Sequence, residues 1–469
     1  MAKPVKQSVN NEMEHNAITQ GGIRQQLTLF FLPILVGSFL QQLYNTADAV
    51  VVGRFVGTAA LSAVGGTTNL ILNLIIGFFI GLSSGATVII SQYFGARRPE
   101  EINRTIHAAI ALSLVGGVLI MGVGLVTAPT LLRMLNTPED VMVYATPYLR
   151  IYFLGTLANL FYNVGGSILR AVGDSKGPLL VLACCTGLNV VLDIFFVAVL
   201  GLNTAGAAIA TILSQLFSAV MVMILVHRKG EAFRISLKKI RFHPDLLKRI
   251  LWIGLPAGIQ SSLYTVSNLI IQAGVNSFGT VTIASWTVFG KIDSLFWMVM
   301  DSFGIAVTTF MGQNYGAGRL DRVKKGTKVC LRMCFVMALG VSAGLWLLAE
   351  PLSHLFSTDP QVIAQATRIA HVQITFFVCW TCIQVYSCVL RAVGDSLVPM
   401  LIIAVGICGF RSLWTIFIAP LLPHHLLYTV CCYQLSWVFG SALFLIYFYR
   451  FAPLRHQLAR VTKEEERAA

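Results

Sequence analysis

Apolar blocks follow one another from Leu27 almost to Arg450, broken only by short polar turns. Each runs for about 20 residues, the length a helix needs to cross a hydrocarbon core of about 30 Å. Backbone groups in lipid must bond within their own segment, so the chain reads as an all-α membrane bundle. Composition agrees: 56% of residues are hydrophobic, only 12% are charged, and mean hydropathy is +0.75. A soluble domain carries about twice that charged fraction. A soluble protein of twelve fully buried helices would lack surface for water.

Twelve spans are predicted near 26–52, 60–90, 105–127, 144–169, 178–200, 205–227, 250–273, 282–310, 327–349, 368–390, 397–419 and 424–449. The polar first 22 residues predict no cleavable signal peptide. With an even number of spans both termini share one side. That side collects Lys3, Lys6, Arg24, Arg97, Arg98, Arg104, Arg170, Lys176, the blocks 228–249 and 319–328, Arg391 and the tail. The opposite side holds little more than Arg54, Arg133 and Arg368. Positive charge stays inside, so both termini are expected in the cytoplasm. The net charge of +14 is therefore topological. Basic residues scattered over short loops form no groove, which argues against a nucleic-acid partner.

The segment LRAVGDS occurs twice, at Leu169–Ser175 and Leu390–Ser396, 221 positions apart. The same shift lays SQYFGARR (Ser91–Arg98) on GQNYGAGR (Gly312–Arg319), and Leu131, Leu135 and Thr137 on Leu352, Phe356 and Thr358. A shift of 223 lays Leu32-Pro33 on Leu255-Pro256 and Asn45 on Asn268. The chain is thus two parallel six-helix repeats, with lobes at 26–227 and 250–449, a basic linker at 228–249, and cytoplasmic tails at 1–25 and 450–469. Two such halves leave a cleft, and alternating access is the usual use of that geometry. The duplicated loop itself reads as structural, with Gly-Asp-Ser making the turn.

Tandem six-helix halves with twin RAVGDS loops, twin Q-x-x-G-A loops (Gln92–Ala96, Gln313–Ala317) and the Pro33 to Asp48 stretch resemble the multidrug and toxic compound extrusion (MATE) family over nearly the whole chain. The resemblance implies a V-shaped bundle that exports amphiphilic organic compounds and is not an enzyme.

Function is expected where the two copies differ. Ionisable groups inside a membrane need a reason to be there. In the first span Gln41, Tyr44, Asn45 and Asp48 fall at helical spacing on one polar stripe. The fifth span carries Asn189 and Asp193 one turn apart; the fourth carries Asn163 and the sixth Thr211. The second copy has Phe410 and Trp414 opposite Asn189 and Asp193, and only Ile271 near the counterpart of Asp48. Two carboxylates among amides and hydroxyls suit a proton, because desolvation and repulsion disfavour two charges together. They equally suit Na⁺, which takes hard oxygen ligands. The resemblance, to the DNA-damage-inducible branch of the family, implies one cation site from Asp48, Asn163, Asn189, Asp193 and Thr211. It also implies a supporting Tyr44 and a bend at Pro33. Asn163 enters through the resemblance alone.

The second copy has Lys291, Asp293 and Asp301 on the eighth span and Arg411 on the eleventh. With Asn268 they either line a substrate cleft or pair internally. Family members with acidic cation ligands on the seventh and tenth helices are not matched here, since neither span carries an acid.

Other patterns carry no chemistry. Gly81–Gly85 fits G-x-S-x-G but lies in lipid without a preceding strand; with Gly77 it reads as helix packing through small residues. Cys379 and Cys382 fit C-x-x-C within a span, and the ten cysteines read as small buried hydrophobes. His424 and His425 lack a third ligand, and no Walker sequence is present. The expectation is therefore a monomeric secondary antiporter in a bacterial inner membrane. It needs no cofactor beyond the coupling ion, H⁺ or Na⁺, and its partners are the lipid bilayer and small organic substrates. The alternative is a flippase for lipid-linked carbohydrate, which a basic cleft containing Lys291 and Arg411 would favour.

Overall fold

The computed structural model describes residues 16–241, 243–423 and 425–459, and no strand occurs among them. Lys3, Lys6, His424 and the end of the tail lie outside the described residues. Among the described residues, ten helices are long and apolar enough to cross a membrane. They are α1 (Ile23–Phe55), α2 (Thr58–Gly95), α3 (Pro99–Met134), α5 (Lys176–Val199), α6 (Asn203–Arg228), α8 (Thr280–Gly316), α9 (Leu320–Leu347), α10 (Pro360–Ala392), α11 (Leu397–Leu421) and α12 (Leu426–Phe451). Two more complete the twelve. One, α4, is broken at Gly155 into Glu139–Leu154 and Thr156–Ala171; the other is α7 (Pro244–Asn276). Several helices outrun the expected spans, as α3 and α9 do at their starts. Polar first turns such as Pro99-Glu100-Glu101 continue the helix beyond the apolar stretch.

The chain divides into two compact units. The first holds Thr28–Gly258 with the residues up to Gln20; the second holds Gly21–Leu27 and Ile259 onward. The boundary falls inside α7, and the reason lies in glycine. Gly81 and Gly85 of α2 meet Gly254 and Gly258 of α7 backbone to backbone. A Cβ on any of the four would overlap the opposing main chain. The small-residue pattern read from Gly77 to Gly85 thus packs α2 onto the first half of α7. The first unit's core runs from Val88, Ile89 and Ile90 on α2 through Ile106 and Ile110 on α3 to Leu169 on α4 and Val222 on α6.

The repeat is visible in the backbone. Gly57 and Gly279, and Gly173 and Gly394, take positive φ at matching places (117° and 90°; 92° and 99°). Gly318, at 71°, is matched by Arg97 at 57°, a left-handed position that glycine adopts more cheaply. In each RAVGDS turn the aspartate N–H reaches back to the leucine carbonyl, Asp174 to Leu169 and Asp395 to Leu390, both at 2.9 Å. This closes the helix with a glycine cap. The aspartate side chain then fastens the last helix of its half. Asp174 pairs with Lys229 at 2.7 Å, just past α6, and Asp395 accepts from the Tyr447 hydroxyl of α12 at 2.6 Å. Burial pushes the Asp395 carboxyl above the ordinary carboxylate range, against the opposing pull of Tyr447.

Candidate functional site

In the first unit, α1 carries Asp48 seven residues before its end at Phe55, about 10 Å along the axis. The helix runs on through Pro33, whose missing N–H leaves one carbonyl of the preceding turn free. Of the predicted stripe, Tyr44 and Asp48 are buried while Gln41 and Asn45 are exposed. Asn189 and Asp193 of α5 are wholly buried, and Thr211 of α6 nearly so. The Thr211 hydroxyl donates to Asp48 Oδ2 at 3.5 Å. Asp48 also faces Asp193 and Asn189. Among the described residues, Asp48 Oδ1, both oxygens of Asp193, and both the oxygen and the N–H₂ of the Asn189 amide have no hydrogen-bond partner. No Lys, Arg or His is among the groups acting on either carboxyl.

Asp193 is the last residue of the regular part of α5. The next six residues, Ile194–Val199, widen into a π-helical turn. Such turns are rare and frequently mark functional positions. Asn163 is not joined to this cluster by a hydrogen bond. Its amide donates to the carbonyl and side-chain oxygens of Asn159 on its own helix, at 2.9 and 2.8 Å. Further residues near Asp48 do not stand out in the sequence. Tyr148 and Tyr152 of α4 and Cys185 of α5 lie in electrostatic range of Asp48, and Gln215 donates to the Tyr152 hydroxyl at 3.4 Å. The available signal was the polar stripe Thr211, Ser214, Gln215 and Ser218, at helical spacing along α6.

The second unit encloses a separate cavity of about 340 Å³, lined by Asn268, Asp293, Asp301 and Arg411 among aromatic side chains. Lys291 does not line it and is exposed. Two residues along a helix is more than half a turn, so Lys291 and Asp293 point apart, while Trp297 and Asp301 follow Asp293 on its own face. No ion pair joins the cavity's charged groups to one another. Asp293 accepts instead from Trp297 Nε1 at 2.9 Å, and Asn268 from the Tyr433 hydroxyl at 3.3 Å. Arg411 lies in a short regular stretch of α11 between two π-helical turns, Ala404–Gly409 and Trp414–Ile418. Among the ten free cysteines only Cys184 is exposed, and Cys379 and Cys382 are partly buried without a bridge.

The MatE family model matches residues 33–195 and 256–415, one match in each half. The chain belongs to the MATE family. MATE proteins are transporters, and this one is a multi-pass membrane transporter, not an enzyme. It is similar to "Probable multidrug resistance protein YoeA" of Bacillus subtilis, at 26% identity over 93% of this chain and 96% of the relative. It is also similar to "Probable multidrug resistance protein YpnP" of the same organism, at 30% identity over 74% and 77%. The fold matches a crystal structure of a MATE protein in a bent conformation, with a TM-score of 0.85 at 23% identity over 94% of this chain and 98% of that one.

Proposed function

We propose that this MATE transporter is a secondary antiporter that exports amphiphilic organic compounds in exchange for H⁺ or Na⁺. The names of YoeA and YpnP, both multidrug resistance proteins, support efflux. The observation that carries the coupling is the buried pair Asp48 and Asp193, which face each other with no basic residue to balance them. Two adjacent carboxylates in a low-dielectric bundle cannot both keep their charge without a proton or a cation. The unpaired Asn189 amide and the Thr211 hydroxyl supply further oxygens for Na⁺ or polar support for a shared proton.

In this mechanism the driving cation enters from outside and binds at Asp48 and Asp193. Its binding shifts α1 about Pro33 and disfavours bound substrate. Competition alone suffices, since a ligand moves an equilibrium only through differential affinity. The Lys and Arg asymmetry supports cytoplasmic termini in a bacterial inner membrane. The flippase reading has lost one of its two supports, since Lys291 lies off the cavity.

Purified protein in liposomes, given a pH gradient and a Na⁺ gradient separately, should export a fluorescent organic cation under one of them. Asp193→Asn should abolish that flux while leaving the circular dichroism spectrum and melting profile intact. Unchanged flux in a well-folded Asp193→Asn protein would reject the coupling site.

A further inference from the structure

Basic charge gathers where α6 ends. Residues 228–241 hold six basic side chains against one acid, Glu231. Lys229 is tied to Asp174, but the Arg228 side chain is exposed and has no hydrogen bond or ion pair among the described residues. Leu237, in the same basic stretch, is 85% exposed. An apolar side chain left open among basic ones suits the border of a bilayer with anionic headgroups.

An apolar groove of about 700 Å³ leads to this basic end within the first unit. Leu154, Ala158 and Phe161 of α4 line one side of it, and Ile212, Leu216 and Val220 of α6 the other. Leu154, Leu216 and Val220 are each about half exposed, so the groove is open along its length. The apolar part of its α6 side runs from Ile212 to Ile224, about 18 Å of helix. That is close to the depth of one leaflet, half of a hydrocarbon core of about 30 Å. At the far end stand His227, Arg228 and Ile235.

That end is held in place by the protein itself. His227 Nδ1 accepts from the Ile235 N–H at 3.2 Å, so the hydrogen of the neutral ring sits on Nε2 as a donor. The backbone on both sides of Ile235 is fastened to α3. The Asn103 amide donates to the Ala232 and Arg234 carbonyls at 3.0 and 3.2 Å, and the Ser236 N–H donates to Nε2 of the buried His107 at 3.0 Å. An apolar guest alone would leave the Arg228 charge unanswered, and a small anion alone would leave Leu216 and Val220 uncovered. A molecule with an acyl chain and a negative headgroup answers both.

We propose that the groove holds one acyl chain of an anionic phospholipid from the leaflet on the linker side, with its phosphate taken by Arg228 and the His227 ring. Basic pockets between membrane helices take such headgroups. The lipid is a bound resident of the transporter and not its cargo.

The test uses the full chain purified in detergent and a phosphatidylglycerol carrying a photoactivatable diazirine in its acyl chain. Adducts are located by peptide mass spectrometry. They should fall within residues 154–161 and 212–224. Unlabelled phosphatidylglycerol should suppress them at a concentration at least about fivefold lower than phosphatidylcholine, as one basic side chain at a membrane surface predicts. Phosphatidylcholine has the same phosphate but a cancelling ammonium. Glycerol 3-phosphate, with no acyl chain, should not compete. R228Q should bring the two lipids to within about twofold of each other. A158F fills the groove without touching its basic end, so it should remove the adducts; R228Q, at an exposed position, carries the test if A158F does not fold. Adducts confined to other segments overturn the proposal. So does equal competition by the two lipids, competition by glycerol 3-phosphate at the phosphatidylglycerol concentration, an R228Q protein with the wild-type preference, or undiminished adducts in folded A158F. No gradient or flux enters the measurement, so its outcome is independent of the coupling site.

Discussion

Replacing the Thr211 hydroxyl with a methyl removes the one protein donor bonded to Asp48. Thr211→Val keeps the shape of the side chain, so the helix should be undisturbed. Losing one hydrogen bond of about 1 kcal/mol should weaken binding of the driving cation about fivefold, seen as a higher concentration for half-maximal efflux. Asp48, Asn189, Asp193 and Thr211 were legible in the sequence because polar groups stand out against an apolar span. Tyr148 and Tyr152 were not, because tyrosine is amphipathic and common at membrane borders. Asn163 enters only through the family resemblance, and its amide N–H₂ donates one turn away to Asn159, a local bond that composition cannot reveal. Gln41 and Asn45 share the spacing of Tyr44 and Asp48 yet are exposed, since a stripe on a helix is wider than the contact it makes.

Glycine sets how closely α2 approaches α7. Gly85 sits where a side chain would strike the Ile250 carbonyl and Gly254. Gly85→Val should therefore force the helices apart. Overpacking of this kind costs about 1–3 kcal/mol and should appear as a lower melting temperature in detergent. The pattern Gly77, Gly81, Gly85 announced helix packing, but its partner could be found only in three dimensions. The π-helical turn after Asp193 was not legible at all. Nothing in IFFVAV distinguishes a widened turn from a regular one, because the choice depends on what the turn must pack against.

Across the molecule, two copies share a scaffold and diverge in chemistry. The twin RAVGDS turns and their aspartate anchors recur, whereas the positions of Asn189 and Asp193 are taken by Phe410 and Trp414 in the second copy's sequence. The repeat was readable because loop turns tolerate few residues at positive φ. The content of the second cavity was half readable: its charges were on the page, but which of them converge depended on helix rotation. Twelve spans and the basic loops predict that tags at both ends lie on the same face. Protease added to inverted vesicles should remove both tags, and protease added to intact spheroplasts should remove neither. Cleavage of a single tag would rule out an even number of crossings.

Because Trp286, Trp297, Trp380 and Trp437 converge on one chamber, more than half of the chain's indoles share a single microenvironment. Ultraviolet emission from the unlabelled protein therefore reports chiefly on that chamber. Its wavelength follows the entry of water, and its intensity follows energy transfer to any absorbing guest, so turnover can be watched without attaching a probe.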